Sequence, residues 1–557
     1  MQKGLIIFLL AVGLLYCSCD KFKGENVSVT PSGAAVATNG MVSTAHPLAT
    51  QAGIDILKAG GNAFDAAVAV AAVLNVVEPM NSGIGGYGTI LVYSADKKQV
   101  RFLDTSGKIP INLNSDVFRP PTPNYIENRR GAKAVSTPGN VNGWKALSSE
   151  YGKLPWKKLF TAAIKTAEKG FPINSSLASI LNGSYNQFDE YTQSIYGKDG
   201  APLKEGDILV QKDLAKSFRL IAEKGSEVVY RGEIGEAIDK TMKEREGFLC
   251  LDDLKANEAE WWQPICINYR GYDVYTASPP ANAFPSLIRF GLMSMYDTKA
   301  LGHNTTAYLH RYAEVTKYAY WCRLAYAGDP ALNPPPLNML LSEKYWREVV
   351  ASIDTAKAKP FTPPKIIVKA GENTTHFVVT DKWGNIVSAT QTLGNTFGSR
   401  IMVRNTGIWL NNSLAYCTFE PKGNPMDARP GQRKLSGDCP TIVFADGLPV
   451  IALGTPGGHT IDQTVPQMIL NMIDFGMDIQ QAVAAPRISF AEPNVIMVES
   501  AIPESIREEL KAKGHTLRMS GGIGNAHGLT IEYDKNGKPV KFTGGSDPRG
   551  SGLAKGY

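Results

Sequence analysis

Two threonine hydroxyls have the types and the spacing for chemistry. In Gly371-Glu372-Asn373-Thr374-Thr375-His376-Phe377-Val378-Val379-Thr380-Asp381-Lys382-Trp383-Gly384-Asn385 a strand-like run enters a Gly/Asn turn and returns over residues 386–392. That is a hairpin pattern, with Gly384 suited to positive φ. If Asp381 faces Asn385 across the turn, counting back along both strands sets Thr374 opposite Thr392. A one-residue slip or a bulge would undo the pairing. A threonine hydroxyl becomes a nucleophile once a base activates it. Facing threonines are also ordinary sheet packing, and the spacing alone does not choose.

Other motifs are weaker. Gly83-Ile84-Gly85-Gly86-Tyr87-Gly88 fits GxGxxG, yet here a helix-like stretch precedes and a strand-like one follows, the reverse of the dinucleotide order. The run reads as a tight backbone turn that lets a neighbouring segment or substrate come close. No GxSxG elbow, HExxH helix or Walker A loop occurs. His46, His303, His310, His376, His459, His515 and His527 lack ligand spacing, and Cys250, Cys266, Cys322, Cys417 and Cys439 are too scattered for a CxxC site or a disulfide framework. Neither a metal nor a cofactor is expected.

The elements that must position these residues are helices and strands intermixed, without internal repeats. Helical periodicity runs over 46–57, 65–77, 156–169, 214–224, 234–243, 306–326, 464–474 and 503–513. Residues 65–77 are apolar on nearly all sides, so that helix belongs inside. Strand patterns cover 89–93, 100–104, 375–380, 386–392, 441–444, 450–453 and 529–533, and a Lys/Pro/Thr-rich stretch at 355–371 reads as an exposed connection. The expectation is one compact, layered α+β domain with a linker in its middle.

The chain's 557 residues, 43% hydrophobic and 20% charged, exclude a disordered chain, a collagen-like fibre and a multi-span membrane protein. With 58 Lys+Arg against 52 Asp+Glu the net charge is +6, with no block of like charge to track a phosphate backbone, so nucleic acid is not an expected partner. Residues 1–19 read as a signal peptide: Lys3, an apolar run over 5–16 shorter than the roughly 20 residues of a membrane span, then Ser18-Cys19-Asp20. The segment resembles a bacterial lipoprotein signal. Cys19, after small Ser18, is the better lipidation site than Cys17, after bulky Tyr16, and simple secretion is the alternative. Export to the periplasm or cell surface follows, with membrane contact only through a lipid on Cys19.

Resemblance settles how the threonine pair is read. The Thr374-Thr375-His376-Phe377 run with Asp381, Gly384-Asn385, Thr392-Leu393 and Phe397-Gly398 resembles the start of the small subunit of the γ-glutamyltranspeptidase family. So do Leu410-Asn411-Asn412, Leu435-Ser436, Pro440-Thr441-Ile442, Gly454-Thr455-Pro456-Gly457-Gly458 and Ala485-Pro486-Arg487. Gly60-Gly61-Asn62-Ala63, Ser82-Gly83-Ile84-Gly85-Gly86 and Pro138-Gly139 agree in order.

That resemblance implies a four-layer αββα fold of the N-terminal nucleophile hydrolase type and a precursor that cuts itself between Asn373 and Thr374. The large subunit would be 20–373 and the small one 374–557, the two forming one compact domain. Thr374 would be the nucleophile and, through its freed α-amine, the base. Thr392 would hydrogen-bond it, and the backbone N–H groups of Gly457 and Gly458 would hold the oxyanion.

Substrate recognition departs from the family pattern. The family's arginine for the substrate α-carboxylate follows a phenylalanine, and the run here is Phe102-Leu103-Asp104. The aspartate for the α-amino group is replaced by Tyr416. Of a serine pair only Ser436 remains, followed by Gly437, and an expected asparagine is either Gly394 or displaced to Asn395. A zwitterionic head group needs partners for both charges. The substrate is therefore expected to be a small-molecule amide other than a standard γ-glutamyl peptide, its acyl group passing mainly to water, as in a branch resembling cephalosporin acylases and oxamate amidohydrolases. Arg433, Arg487, His459 and Tyr416 are the candidates for reading that acyl group. A true γ-glutamyltransferase and an inactive binding lipoprotein of the same fold are the alternatives.

Overall fold

The computed structural model describes residues 28–30, 32–364, 373–433 and 435–557. Two antiparallel sheets lie at its centre. In one, the neighbours run Glu260–Trp262, Gln99–Asp104, Tyr87–Ser94, Ile386–Gly394, Asn373–Asp381, Gly40–Thr44 and Leu553–Gly556. In the other they run Ser28–Val29, Ala35–Ala37, Pro539–Ser546, His527–Tyr533, Leu448–Gly454, Thr441–Ala445, Tyr272–Thr276 and Ile265–Tyr269.

The period-two alternation of the strands feeds two cores. Phe377 and Val379 join Val42, Ile90, Val92 and Val387 under the helices Pro47–Lys58 and Ala63–Val77. Val378 and Ile386 face the other way, toward Val274, Ile442, Leu453 and Leu529 of the second sheet, which is covered in turn by Phe284–Ser294, Thr306–Tyr326 and Ile461–Ile473. The order is helix, sheet, sheet, helix: the αββα sandwich. Ala63–Val77 is buried along its whole length and opens on a capping box between Asn62 and Asp65.

Most expected elements are present with ends shifted by a few residues, and Thr306–Tyr326 is matched to the residue. The stretch 156–169 is a 3₁₀ turn, Trp156–Phe160, followed by a helix, Thr161–Lys169. Asn140–Tyr151 and Phe284–Ser294 are helices the pattern did not reveal. Gly143 and Gly291 lower their intrinsic helix propensity, and tertiary packing overrides it. The connection is described as far as residue 364, without helix or strand. The rest of it, and Cys17 and Cys19, lie outside the described residues. No helix among the described residues is long and apolar enough to cross a membrane.

Candidate functional site

The hairpin register follows the turn. Asp381 N–H donates to Asn385 O at 3.3 Å, and the Asp381 carboxylate accepts from the backbone N–H groups of Trp383 and Asn385. From Thr380↔Ile386 the pairing steps back without a slip to Thr375↔Gln391. One residue further on, a bulge shifts the register: Asn373 pairs with Gly394, so Thr392 and Leu393 together lie opposite Thr374 and the extra residue belongs to the returning strand. Bulges re-aim a side chain and free backbone from the ladder.

The hydroxyls nevertheless meet. Thr374 Oγ1 donates to Thr392 Oγ1 at 3.3 Å, Thr392 Oγ1 donates its own proton to the carbonyl of Asn373 at 2.5 Å, and Gly394 N–H donates to Thr392 Oγ1 at 2.8 Å. Thr392 thus uses one donor and two acceptors, the full capacity of a hydroxyl. It polarises the Asn373 carbonyl and holds the neighbouring Thr374 hydroxyl in place, an arrangement suited to attack on the preceding peptide bond. Thr375 Oγ1 donates to the buried Glu78 carboxylate at 3.0 Å, and burial raises that carboxyl's pKa.

The glycine-rich turn at 83–88 comes after the helix and before Tyr87–Ser94. A Cβ on Gly86 would lie 2.5 Å from Thr392 O, and one on Gly85 would lie 2.1 Å from Trp409 O. Glycine is required here by close approach of backbone. Asn411 ties the turn down, its amide donating to Gly85 O and Ser136 O, both at 2.9 Å.

Gly457 and Gly458 carry φ of +137° and +58° and open the 3₁₀ turn Gly458–Thr460 that leads into the helix Ile461–Ile473. Thr374, Thr392, Tyr416, Ser436, Gly437, Gly458 and His459 line one cavity of about 20 Å³, room for about one water. On the other flank Asn373, Thr374 and Gly457 border a cleft of about 270 Å³. Ser436 Oγ is 3.1 Å from Thr89 Oγ1 and accepts from Asp438 N–H, and Gly437 faces the carbonyl of Gly458. Burial and the nearby Arg323 cation hold His459 well below the usual histidine range, so it is neutral.

Other expected readers stand elsewhere. Arg433 is ion-paired with Asp104 at 3.3 Å and with Glu260, outside this cavity. Arg487 is fully buried against Asp547. Leu103 lies in the helix-side core. Asn395 borders Tyr416, whose hydroxyl donates to Asn395 Oδ1 at 3.4 Å. Sequence reading missed Arg323, Asp438, Tyr87 and Asn282, which also line the cavity. Arg323 comes from the large helix and carries no motif signal. His310, Glu314 and His515 also converge, although distant in sequence. His310 Nδ1 is 2.8 Å from His515 Nε2 and Glu314 is paired with Lys317, so the group is an internal hydrogen-bonded network.

The family model for gamma-glutamyltranspeptidase matches residues 49–557. The glutathione hydrolase proenzyme of Bacillus subtilis (strain 168) is 36% identical, over 94% of this chain and 92% of its own length. The acylase ACY 1 proenzyme of Pseudomonas sp. (strain V22) is 34% identical, over 92% of this chain and 95% of its own. Among solved structures, the cephalosporin acylase from Bacillus halodurans superposes with a TM-score of 0.86 at 29% identity, covering 97% of this chain and 99% of that one.

Proposed function

The chain belongs to the γ-glutamyltranspeptidase family, and on that premise we propose that it is a self-cleaving amidohydrolase whose nucleophile is Thr374. The observation that carries this reading is the double role of Thr392, bonded at once to the Asn373 carbonyl and to the Thr374 hydroxyl. Thr374 Oγ attacks the carbonyl carbon of Asn373. The C–N bond breaks as the amide nitrogen takes up the hydroxyl proton, and the acyl group moves to oxygen. Water then cleaves the ester, leaving the Asn373 carboxylate and a free Thr374 amine and hydroxyl. In the intact chain the cavity shared by Thr374, Thr392 and His459 has room for about one water, and the cleft of about 270 Å³ bordered by Asn373, Thr374 and Gly457 lies on the other flank.

In turnover the α-amine, with a reference pKa of about 7.7 to 8.0, is neutral often enough near pH 8 to take the hydroxyl proton. Thr374 Oγ attacks the substrate carbonyl while the N–H groups of Gly457 and Gly458 receive the oxyanion. The leaving amine takes the proton from the Thr374 α-amine, which then deprotonates water; the hydroxide cleaves the ester, the proton returns to Thr374 Oγ, and the acid is released. Tyr416 and Gly437 stand where a γ-glutamyl head group would need charged and hydroxyl partners, which favours an acyl group smaller or less zwitterionic than γ-glutamyl and transfer mainly to water. Purified protein should run as two fragments in roughly a two-to-one mass ratio, the smaller beginning at Thr374 by mass spectrometry. A single uncut chain would remove the mechanism.

Export and a lipid on Cys19 belong to the same proposal. They rest on the residue pattern of 1–19 and on the bacterial origin of the relatives. Mass spectrometry of the N-terminal peptide decides between a lipidated Cys19 and an unmodified secreted end.

A further inference from the structure

Five arginines in the described residues are buried: Arg119, Arg289, Arg323, Arg433 and Arg487. Four are ion-paired with carboxylates: Arg119 with Asp427, Arg289 with Asp462, Arg433 with Asp104 and Arg487 with Asp547. Arg323, only 5% exposed, has no carboxylate in ion-pair contact among the described residues. Its Nη1 is buried without a hydrogen-bond partner, and its guanidinium sits 5.7 Å from the ring centre of Tyr320. A buried cation without an ion-pair partner is strongly unfavourable, and a ligand anion would relieve that cost. Arg323 is in the wall of the cavity that contains Thr374, Thr392 and Gly458. Neutral His459 lines the same cavity and also carries a buried ring nitrogen, Nε2, without a partner.

We propose that Arg323, assisted by His459, binds a carboxylate carried on the acyl part of the substrate, so that the enzyme selects amides whose acyl group is itself an acid. Guanidinium matches the planar, two-oxygen geometry of a carboxylate, and an imidazole N–H supplies a further donor. The remaining titratable groups facing the cavity are Asp438 and the phenols of Tyr87 and Tyr416, beside the neutral side chains of Asn282 and Ser436. This assignment rests on Thr374 being the nucleophile.

The test is a matched series of p-nitroanilides in which only the acyl terminus changes: glutaryl (a carboxylate), pentanoyl (neutral) and γ-glutamyl (carboxylate plus amine). Wild-type kcat/KM should be at least tenfold higher for glutaryl than for pentanoyl. In Arg323→Gln the ratio of glutaryl to pentanoyl kcat/KM should fall to about one, through a raised KM for glutaryl, and Arg323→Lys should restore part of it. An equal loss on all three anilides, or a wild-type enzyme that handles pentanoyl as well as glutaryl, overturns the proposal. A protein that never self-cleaves and labels with none of the anilides fails at the nucleophile instead. A γ-glutamyl anilide outpacing glutaryl tenfold corrects the acyl group proposed above, while the Arg323→Gln comparison still decides the arginine's role.

Discussion

Thr374 separates two environments whose polar groups are treated differently. On the strand flank the hydroxyls nearest Thr374 are matched, since Thr392 engages Asn373, Thr374 and Gly394 and Thr375 engages Glu78, whereas the buried Gln391 amide beside them is not. On the cavity flank Arg323 Nη1 and His459 Nε2 are buried without partners. Satisfied groups fix geometry, because any movement would strand a buried donor. Unsatisfied groups store a desolvation cost that a ligand can relieve. The first flank suits holding the proposed nucleophile, and the second suits the substrate that the proposed nucleophile would attack.

The contrast can be broken at its centre or sharpened at its edges. Thr374→Ala should abolish cutting and leave one full-length band on a denaturing gel, with amide hydrolysis down by at least about 10⁴-fold, the scale on which losing a nucleophile is felt. Gly457→Ala should come next. Its Cβ would lie 2.4 Å from Thr460 Oγ1 at a φ of +137°, so the N–H is displaced and turnover should fall by ~10²–10³. Thr392→Val should slow self-cleavage about 10- to 100-fold, as losing a hydrogen bond of about 1.5–3 kcal/mol implies, and Thr392→Ser should recover most of it in a time course on gels. The smallest effect is on stability. Burial raises the Glu78 pKa in the folded state, so its stabilising protonated form is complete in acid and is lost as pH rises through that value. Thermal melts should therefore show Glu78→Gln gaining on wild type from acid to mildly alkaline pH, while an unchanging difference would mean Glu78 titrates normally.

The strand flank was legible because it is local. Asp381, Gly384 and Asn385 declare a turn, the side-chain period of two carries the count to Thr374 and Thr392, and resemblance supplies what the hydroxyls do. The bulge at Thr392 and Leu393, opposite Thr374, was not, since a two-for-one pairing is decided by the strands on either side and not by the residues themselves. The cavity flank was largely hidden. Arg323 lies in a helix read correctly end to end, but that helix buries Glu314, Lys317 and Arg323 along with its apolar residues, so amphipathic pattern gives no hint of which side chain reaches the cavity beside Thr374. Arg433 misled for the opposite reason: it sits beside family motifs, yet Asp104 and Glu260 already hold it. Proximity in sequence to a motif is a poor guide to a pocket assembled from distant segments.

The proposed cut would fall inside a woven fabric. In the first sheet Asn373–Asp381 and Ile386–Gly394 are threaded between Gly40–Thr44 on one side and Tyr87–Ser94 on the other, while Leu553–Gly556 is stitched outside Gly40–Thr44. Severing one peptide bond there would release neither piece, since each polypeptide supplies ladder partners to the other. The newly made chain end would stay moored in the middle of a sheet, which is how a terminus, ordinarily the loosest part of a protein, could serve as a fixed reagent.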